Sequence, residues 1–138
     1  MSTPLSPKQV VEQWIDRVWN KREIEAINEL ADENLKVTIT RDIRTESRDE
    51  YISFYSQMLA GVDEMRIDVL DCIESGDRVS GVCRVHARKG DKELDYDFGF
   101  IGTVVDGKWV DAYNVVDFLE MLKQLGVVDG NLVESALA

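Results

Sequence analysis

The chain has 138 residues, 44% of them hydrophobic and 31% charged, and a formal net charge of −11. This length is enough for one domain with its own core, so residues 1–138 are predicted to form a single domain in which the role of 127–138 stays open. The negative charge repels phosphate backbones and anionic lipids, which argues against nucleic acid and membrane partners. Without a membrane-length apolar run or a signal peptide, the chain is predicted to be cytoplasmic.

The first third of the chain is predicted to contain two helices and a strand. Ser6 and Gln9 form a capping box around Pro7 at the first helical position. The stripe that follows is typical of an amphipathic helix: Val10, Val11, Trp14, Ile15, Val18 and Trp19. A break at Asn20 leads into a shorter helix, and the alternating segment NLKVTIT at 34–40 predicts a strand.

The rest of the chain is predicted to be one helix, four long strands and a final helix. Ser47 and Glu50 form a second capping box, and its helix ends at Gly61. Four alternating strands follow, within residues 65–74, 78–88, 93–105 and 108–116. The last helix starts at Asp117. Helices followed by consecutive strands indicate an α+β fold with helices on one face of an antiparallel sheet.

Turn lengths predict the pairing of these strands. A two-residue turn at 90–91 places Val85 opposite Tyr96 and Cys83 opposite Phe98, a register supported by three pairs of oppositely charged residues on the other face. A three-residue turn at 75–77 places Asp71 inward, opposite Gly81. This register also points Cys72 and Cys83 to opposite faces, so no disulfide is expected.

The last hairpin leaves two alternatives. A two-residue loop, Asp106–Gly107, would turn Trp109, Asp111, Tyr113 and Val115 inward. A three-residue loop, 105–107, would instead turn Val110, Ala112, Asn114 and Val116 inward. The longer loop is preferred because the shorter one buries an aspartate, which is costly without a partner.

Three segments resemble the SnoaL-like branch of the nuclear-transport-factor-2-like (NTF2-like) superfamily. They are VVEQWIDRVWNKREIEAINELADENLKVTI, SGDRV and DGKWVDAYNVVDFLEMLKQLG, and the likeness runs from about Val10 to Gly126. The resemblance implies a cystatin/NTF2-like cone, in which a curved antiparallel sheet wraps around N-terminal helices and leaves an apolar pocket at the open end. It also implies the longer last loop and a homodimer.

The superfamily includes polyketide cyclases, ketosteroid isomerase and limonene epoxide hydrolase, and also modules without activity, so the fold does not give the function. The catalytic positions of the isomerase fall on Trp14, Thr38 and the neighbourhood of Phe100. Those of the epoxide hydrolase fall on Gly81, Cys83 and Asn114. The residues at these positions do not reproduce either set of catalytic groups.

Two polar residues are candidates for catalysis. In an apolar pocket the pKa of Asp71 would rise, which suits a general acid or base, although an exposed aspartate at a bulge or strand end is the alternative. Asn114 could hold a developing oxyanion, or be a core amide bonded to backbone or water. The predicted pocket lining is aromatic and apolar: Trp14, Tyr55, Met58, Cys83, Tyr96, Phe98 and Phe100.

An inward Asn114 would leave an apolar patch on the outer face of the sheet. This predicted dimer surface contains Val82, Ile101, Trp109, Tyr113 and Val115. Two cysteines and one histidine are too few for a zinc site, and no phosphate-binding motif occurs, so neither metal nor cofactor is predicted.

Two functional hypotheses of different class follow. One is cofactor-free acid–base chemistry of the cyclase or isomerase type on a small, apolar carbonyl compound. The other is a binding or dimerisation module without activity. A pocket of about 300 Å³ or more with Asp71 and Asn114 converging would favour a ligand site, whereas a packed cone would exclude the enzyme.

Overall fold

The computed structural model describes residues 3–138 and combines helices with one curved sheet. The helical segments are α1 (Pro7–Gln13), a π-helix (Trp14–Asn20), α2 (Glu25–Leu30), α3 (Arg48–Ala60), α4 (Phe118–Gln124) and α5 (Leu132–Leu137). The strands are β1 (Ala31–Ile39), β2 (Ile43–Thr45), β3 (Glu64–Ser75), β4 (Arg78–Lys89), β5 (Lys92–Val105) and β6 (Lys108–Val116).

The sheet has the order β2-β1-β6-β5-β4-β3, and the helices α1 to α3 and the π-helix cover its inner face. All neighbouring strands are antiparallel except β1 and β6, which run parallel. The predicted α+β cone is confirmed, with this one parallel pair and the short strand β2 as additions. None of the helices in residues 3–138 is long and apolar enough to cross a membrane.

The first helix begins as predicted but does not continue as an α-helix. Ser6 accepts a hydrogen bond from the backbone N–H of Gln9, and the Gln9 side chain accepts one from the N–H of Ser6. From Trp14 the chain forms a π-helix, in which hydrogen bonds join residues five apart. At its end, the N–H of Lys21 donates to the carbonyl of Asp16 at 2.9 Å.

The β3–β4 hairpin corrects the predicted position of Asp71. Its turn has two residues, not three, because Ser75 pairs with Arg78. This turn places Asp71 opposite Val82, and a bulge at Leu70 beyond it restores the register that the three-residue turn would have given, with Val69 opposite Cys83. The predicted inward orientation of Asp71 is therefore wrong: its side chain is exposed on the outer face.

The same turn places Cys72 opposite Gly81 and toward the core, where it packs under α1 near Lys8 and Glu12. The prediction that the two cysteines face opposite sides of the sheet is therefore wrong as well. Both thiols are free, and Cys83 is fully buried.

The last hairpin combines the two predicted alternatives. The loop is the short one, with Asp106 and Gly107 at φ 52° and 76°, and it turns Trp109 inward to 5% exposure. A bulge at Val110 then reverses the alternation, because Val104 pairs with Trp109 but Thr103 pairs with Asp111. The predicted longer loop and the predicted outward Trp109 are thus wrong. Beyond the bulge, the inner face carries Ala112, Asn114 and Val116.

Candidate functional site

The inner face of the sheet and the helices enclose a cavity of about 120 Å³. Its wall is almost entirely aliphatic and aromatic. The lining residues come from α1, the π-helix, α3, α4 and the strands β1 and β3 to β6: Val11, Trp14, Ile15, Trp19, Leu35, Val37, Ile39, Tyr51, Phe54, Met58, Met65, Ile67, Val85, Tyr96, Phe98, Phe100, Trp109, Ala112, Asn114, Val116 and Phe118.

Most of the predicted lining residues lie in this wall, and two do not. Those present are Trp14, Met58, Tyr96, Phe98 and Phe100. Tyr55 lies in the core behind the wall, where its hydroxyl donates to the carbonyl oxygen of Val18 at 2.6 Å. Its ring packs edge-on against Trp19 with the centroids 5.0 Å apart. Cys83 is fully buried outside the cavity.

Asn114 contributes the one amide side chain in the wall formed by the described residues. It pairs with Phe100 of β5 on one side and with Ile39 of β1 on the other, so it sits in the middle of the sheet. Its backbone carbonyl accepts a hydrogen bond from the N–H of Thr40 at 2.7 Å, which fixes the strand locally. The amide can donate and accept, so it is suited to hold a ligand oxygen.

The two predicted catalytic residues do not converge. Asp71 is exposed and does not line the cavity, and its carboxylate accepts a hydrogen bond from the adjacent N–H of Cys72 at 2.9 Å. The two-residue turn of the hairpin is the physical cause, since a change of one residue in the turn exchanges the two faces of the adjoining strand. A mechanism that joins Asp71 to Asn114 is therefore excluded by geometry.

A row of aromatic rings crosses the wall from the helices to the sheet. Trp14 lies between Tyr51 and Trp109, with ring centroids 5.5 and 6.5 Å away, and Trp109 stands edge-on to Phe100 at 6.2 Å. The sequence pattern placed Trp19 only on a helix stripe, and the preferred longer loop turned Trp109 outward. The alternative two-residue loop would have turned Trp109 inward.

The hydroxyls in the wall are neutral at pH 7. Burial raises the pKa of Tyr51 well above its usual range, and the nearby indole N–H groups of Trp14 and Trp19 partly oppose this shift. Burial also raises the pKa of Tyr96. Behind the wall, burial raises the pKa of the Cys83 thiol to about 12, so it stays protonated and weakly nucleophilic.

Neither charged side chains nor metal ligands contribute to the wall. Within residues 3–138, no Asp, Glu, His, Lys or Arg lines the cavity, and no group of three or more His, Cys, Asp or Glu is placed to hold a metal ion. The indole N–H of Trp109 is buried and has no acceptor among the described residues. The cavity is thus apolar, with hydroxyl, amide and indole groups as its polar features.

The outer face of the sheet presents a contiguous apolar patch. Ile101 pairs with Tyr113, while Gly99 lies between Val82 and Val115. The four apolar side chains are 41% to 58% exposed. Trp109, predicted to belong to this patch, lies on the opposite face.

The fold of this chain is similar to that of several solved structures. Wild-type IdmH, a candidate polyketide cyclase from Streptomyces antibioticus, is 18% identical over 88% of this chain and 99% of its own, with a TM-score of 0.79. A candidate SnoaL-like polyketide cyclase from Jannaschia sp. CCS1 is 14% identical over 93% and 96%, with a TM-score of 0.80. An epoxide hydrolase of LEH-like type from M. tuberculosis is 14% identical over 94% and 96%, with a TM-score of 0.75.

At these identities the likeness establishes the fold and no activity. No curated protein matches the chain. The model of the SnoaL-like domain family matches residues 11–112, which contain the end of α1, the π-helix, α2, α3, β1 to β5 and the bulge of β6. The chain therefore belongs to the SnoaL-like domain family, within the nuclear-transport-factor-2-like superfamily.

Proposed function

We propose that the chain binds a small, neutral, apolar molecule that carries a carbonyl group. The observation that carries this proposal is an apolar cavity of about 120 Å³ with Asn114 and two tyrosines as its polar lining and no charge. The cavity lies below the roughly 300 Å³ expected above for a drug-sized ligand, and close to the roughly 150 Å³ at which an apolar cavity holds benzene. A molecule with one ring therefore fits better than a fused polyketide.

Binding is favoured over catalysis by the chemistry of the wall. Cofactor-free proton transfer needs a group whose pKa lies near the working pH. The titratable groups of the wall are Tyr51 and Tyr96, and burial raises the pKa of both above the usual value of a tyrosine. Asp71, the carboxylate predicted for this task, lies on the opposite face of β3.

Acetophenone, a single ring with a ketone, is expected to bind and to quench the tryptophan fluorescence. All three tryptophans of the chain line the cavity, so their emission reports its occupancy. Ala112→Leu adds volume inside this small cavity and is expected to weaken binding at least about tenfold. The matched control is Ala60→Leu, which adds the same volume at an exposed position of α3. Unchanged emission and melting temperature at millimolar acetophenone would refute the proposal.

We also propose a homodimer formed through the outer face of the sheet. Contiguous exposed patches of this kind are rare on monomers, and Val82, Ile101, Tyr113 and Val115 are neighbours in the register. Val115→Arg is expected to give monomers at micromolar concentration in sedimentation velocity, because it places a charge in the centre of the contact. Val127→Arg, a substitution at an exposed site outside the sheet, is expected to leave the dimer intact. A monomeric wild-type chain would contradict the proposal.

Three features stay predictions: one domain over residues 1–138, a cytoplasmic location, and independence from metals and cofactors.

A further inference from the structure

One end of the cavity is closed by aromatic rings. The row of rings described above forms this closed end, and each of its members is only 5% to 8% exposed: Tyr51, Trp14, Trp109 and Phe100. The Trp109 ring lies so close to Gly102 of β5 that even an added Cβ atom would be 2.6 Å from it. A ligand ring gains several edge and face contacts here, because aromatic pairs attract one another beyond the area that they bury.

The opposite side of the wall is partly exposed to solvent and is called the mouth here. Its half-buried lining residues come from α3, β3, β5, β6 and α4: Met58, Met65, Phe98, Val116 and Phe118. Phe98 and Val116 are directly opposite each other in the sheet. Methionine side chains adapt to different shapes, so the mouth is suited to a flexible substituent.

Asn114 lies between the closed end and the mouth. It pairs with Phe100 across the sheet, and Val116 follows it on the same face of β6. Thr40 holds this part of the strand: its N–H donates to the Asn114 carbonyl at 2.7 Å, and its Oγ1 accepts from the N–H of Val116 at 2.9 Å. In residues 3–138 no group pairs with the Asn114 side-chain amide, yet neither Oδ1 nor Nδ2 is sealed from water. A fixed amide with two free polar atoms thus lines the cavity where it opens.

The two tyrosines of the wall differ from Asn114 in exposure. Tyr51 and Tyr96 are 5% and 6% exposed, whereas Asn114 is half-buried. A carbonyl group that reached either tyrosine hydroxyl would leave water completely, which is costly for a polar group. At Asn114 the carbonyl remains near the mouth and still gains an N–H donor. The amide is therefore the favoured partner of a ligand oxygen.

We infer that the ligand enters ring first, with its aromatic ring against the closed end and its carbonyl oxygen accepting a hydrogen bond from Nδ2 of Asn114. This inference rests on the proposed function and names both the orientation and the class of ligand. The class is that of alkyl aryl ketones, whose alkyl chain leaves through the mouth beside Met58 and Met65. A substituent on the far side of the ring is excluded, because the closed end of a cavity of about 120 Å³ has no room for it.

The first test compares two isomeric ketones on the wild-type chain. Valerophenone carries its additional carbons on the carbonyl side, and 4′-propylacetophenone carries them on the far side of the ring. Dissociation constants are measured by tryptophan quenching. Valerophenone is expected to bind at least about tenfold more tightly, because forcing extra carbons into a packed end is unfavourable. The isomers contain the same atoms, so a difference reports their orientation and not their size.

The second test concerns the hydrogen bond to Asn114. It compares acetophenone with α-methylstyrene, in which a methylene group replaces the carbonyl oxygen at nearly the same shape. Asn114→Leu keeps the approximate size of the side chain and removes its polar atoms, so it is expected to reduce the preference for acetophenone about fivefold. Asn28→Leu, the same substitution at an exposed position of α2, is the matched control and is expected to leave the preference unchanged.

The outcomes separate the inference from the proposed function. If 4′-propylacetophenone binds as tightly as valerophenone, or if Asn114→Leu keeps the preference for acetophenone, the inference is overturned and the binding function stands. Loss of the preference in Tyr51→Phe or Tyr96→Phe in place of Asn114→Leu overturns it as well. If none of the ketones binds to the wild-type chain, both proposals fall.

Discussion

Gly102→Ala is expected to lower the free energy of unfolding by about 3 kcal/mol, because a methyl group has no room there. A Cβ atom at Gly102 would overlap the backbone oxygen of Asp111 and lie 2.6 Å from Cζ3 of Trp109 and 3.1 Å from Cα of Ala112. Two of these three neighbours are backbone atoms, which cannot move aside like the end of a side chain. The measurement is urea unfolding followed by tryptophan fluorescence.

Gly99→Ala is the matched control on the same strand. There the nearest atom to an added Cβ would be the carbonyl oxygen of Gly81 at 3.7 Å, an ordinary contact. Gly99→Ala is expected to lower the free energy of unfolding by less than about 1 kcal/mol, since alanine is intrinsically more stable than glycine inside a strand. Equal losses of stability in the two variants would show that the close approach of β6 is not the reason why Gly102 excludes a side chain.

Asn20→Ala is expected to cost about 2 kcal/mol, because one amide makes two hydrogen bonds to the backbone of an edge strand. Its Nδ2 donates to the carbonyl of Ile67 at 2.9 Å, and its Oδ1 accepts from the N–H of Ile67 at 2.7 Å. β3 is the last strand of the sheet, so these groups have no other strand to pair with. The bonds also tie the end of the π-helix to the wall of the cavity.

Asn28→Ala is the control for this prediction. It is the same substitution at an exposed position of α2, where the side chain bonds only to the carboxylate of Glu25 at 3.2 Å. Its effect on thermal and urea unfolding is expected to be within about 0.5 kcal/mol. A loss in Asn20→Ala no larger than that in Asn28→Ala would mean that water replaces the amide at the edge of β3 without cost.

Local chemistry made much of the fold predictable. Ser6, Ser47 and Asp117 each cap a helix where the sequence indicated one. The side-chain oxygen of each accepts a hydrogen bond from the free backbone N–H three residues later, so local spacing defines the partner. The β4–β5 register was also correct, with Arg84 opposite Asp97 at 2.8 Å between Nε and Oδ1. In these cases the deciding residues lie within a few positions of each other or face each other across a short turn.

The register of the other two hairpins was mispredicted, because each has a two-residue turn where three residues were expected and a bulge further along the strand. Leu70 and Val110 are ordinary strand residues, and nothing in their side chains distinguishes them from regularly paired neighbours. A bulge forms where the curvature of the whole sheet requires it, which is a property of distant strands. Asp71 was misplaced because the turn before Arg78 has two residues and not three. The prediction placed Asn114 inward by assuming the longer loop. The loop is the shorter one, but the bulge at Val110 shifts the alternation of β6 by one residue and so returns Asn114 to the inner face.

The contribution of Trp19 to the cavity wall was missed for a different reason. Alternation along β5 indicated that Tyr96, Phe98 and Phe100 line the cavity, because every second residue of a strand lies on the same face. Trp14 and Trp19 look like members of an α-helical stripe, and both line the cavity where the helix widens into a π-helix.

The bulge at Val110 makes this one position of β6 tolerant of a deletion. Losing Val110 would leave Trp109 opposite Val104 and Asp111 opposite Thr103, so Tyr113 would stay outside and Asn114 inside. A deletion beyond the bulge, between Asp111 and Asn114, would instead exchange the two faces of the rest of the strand.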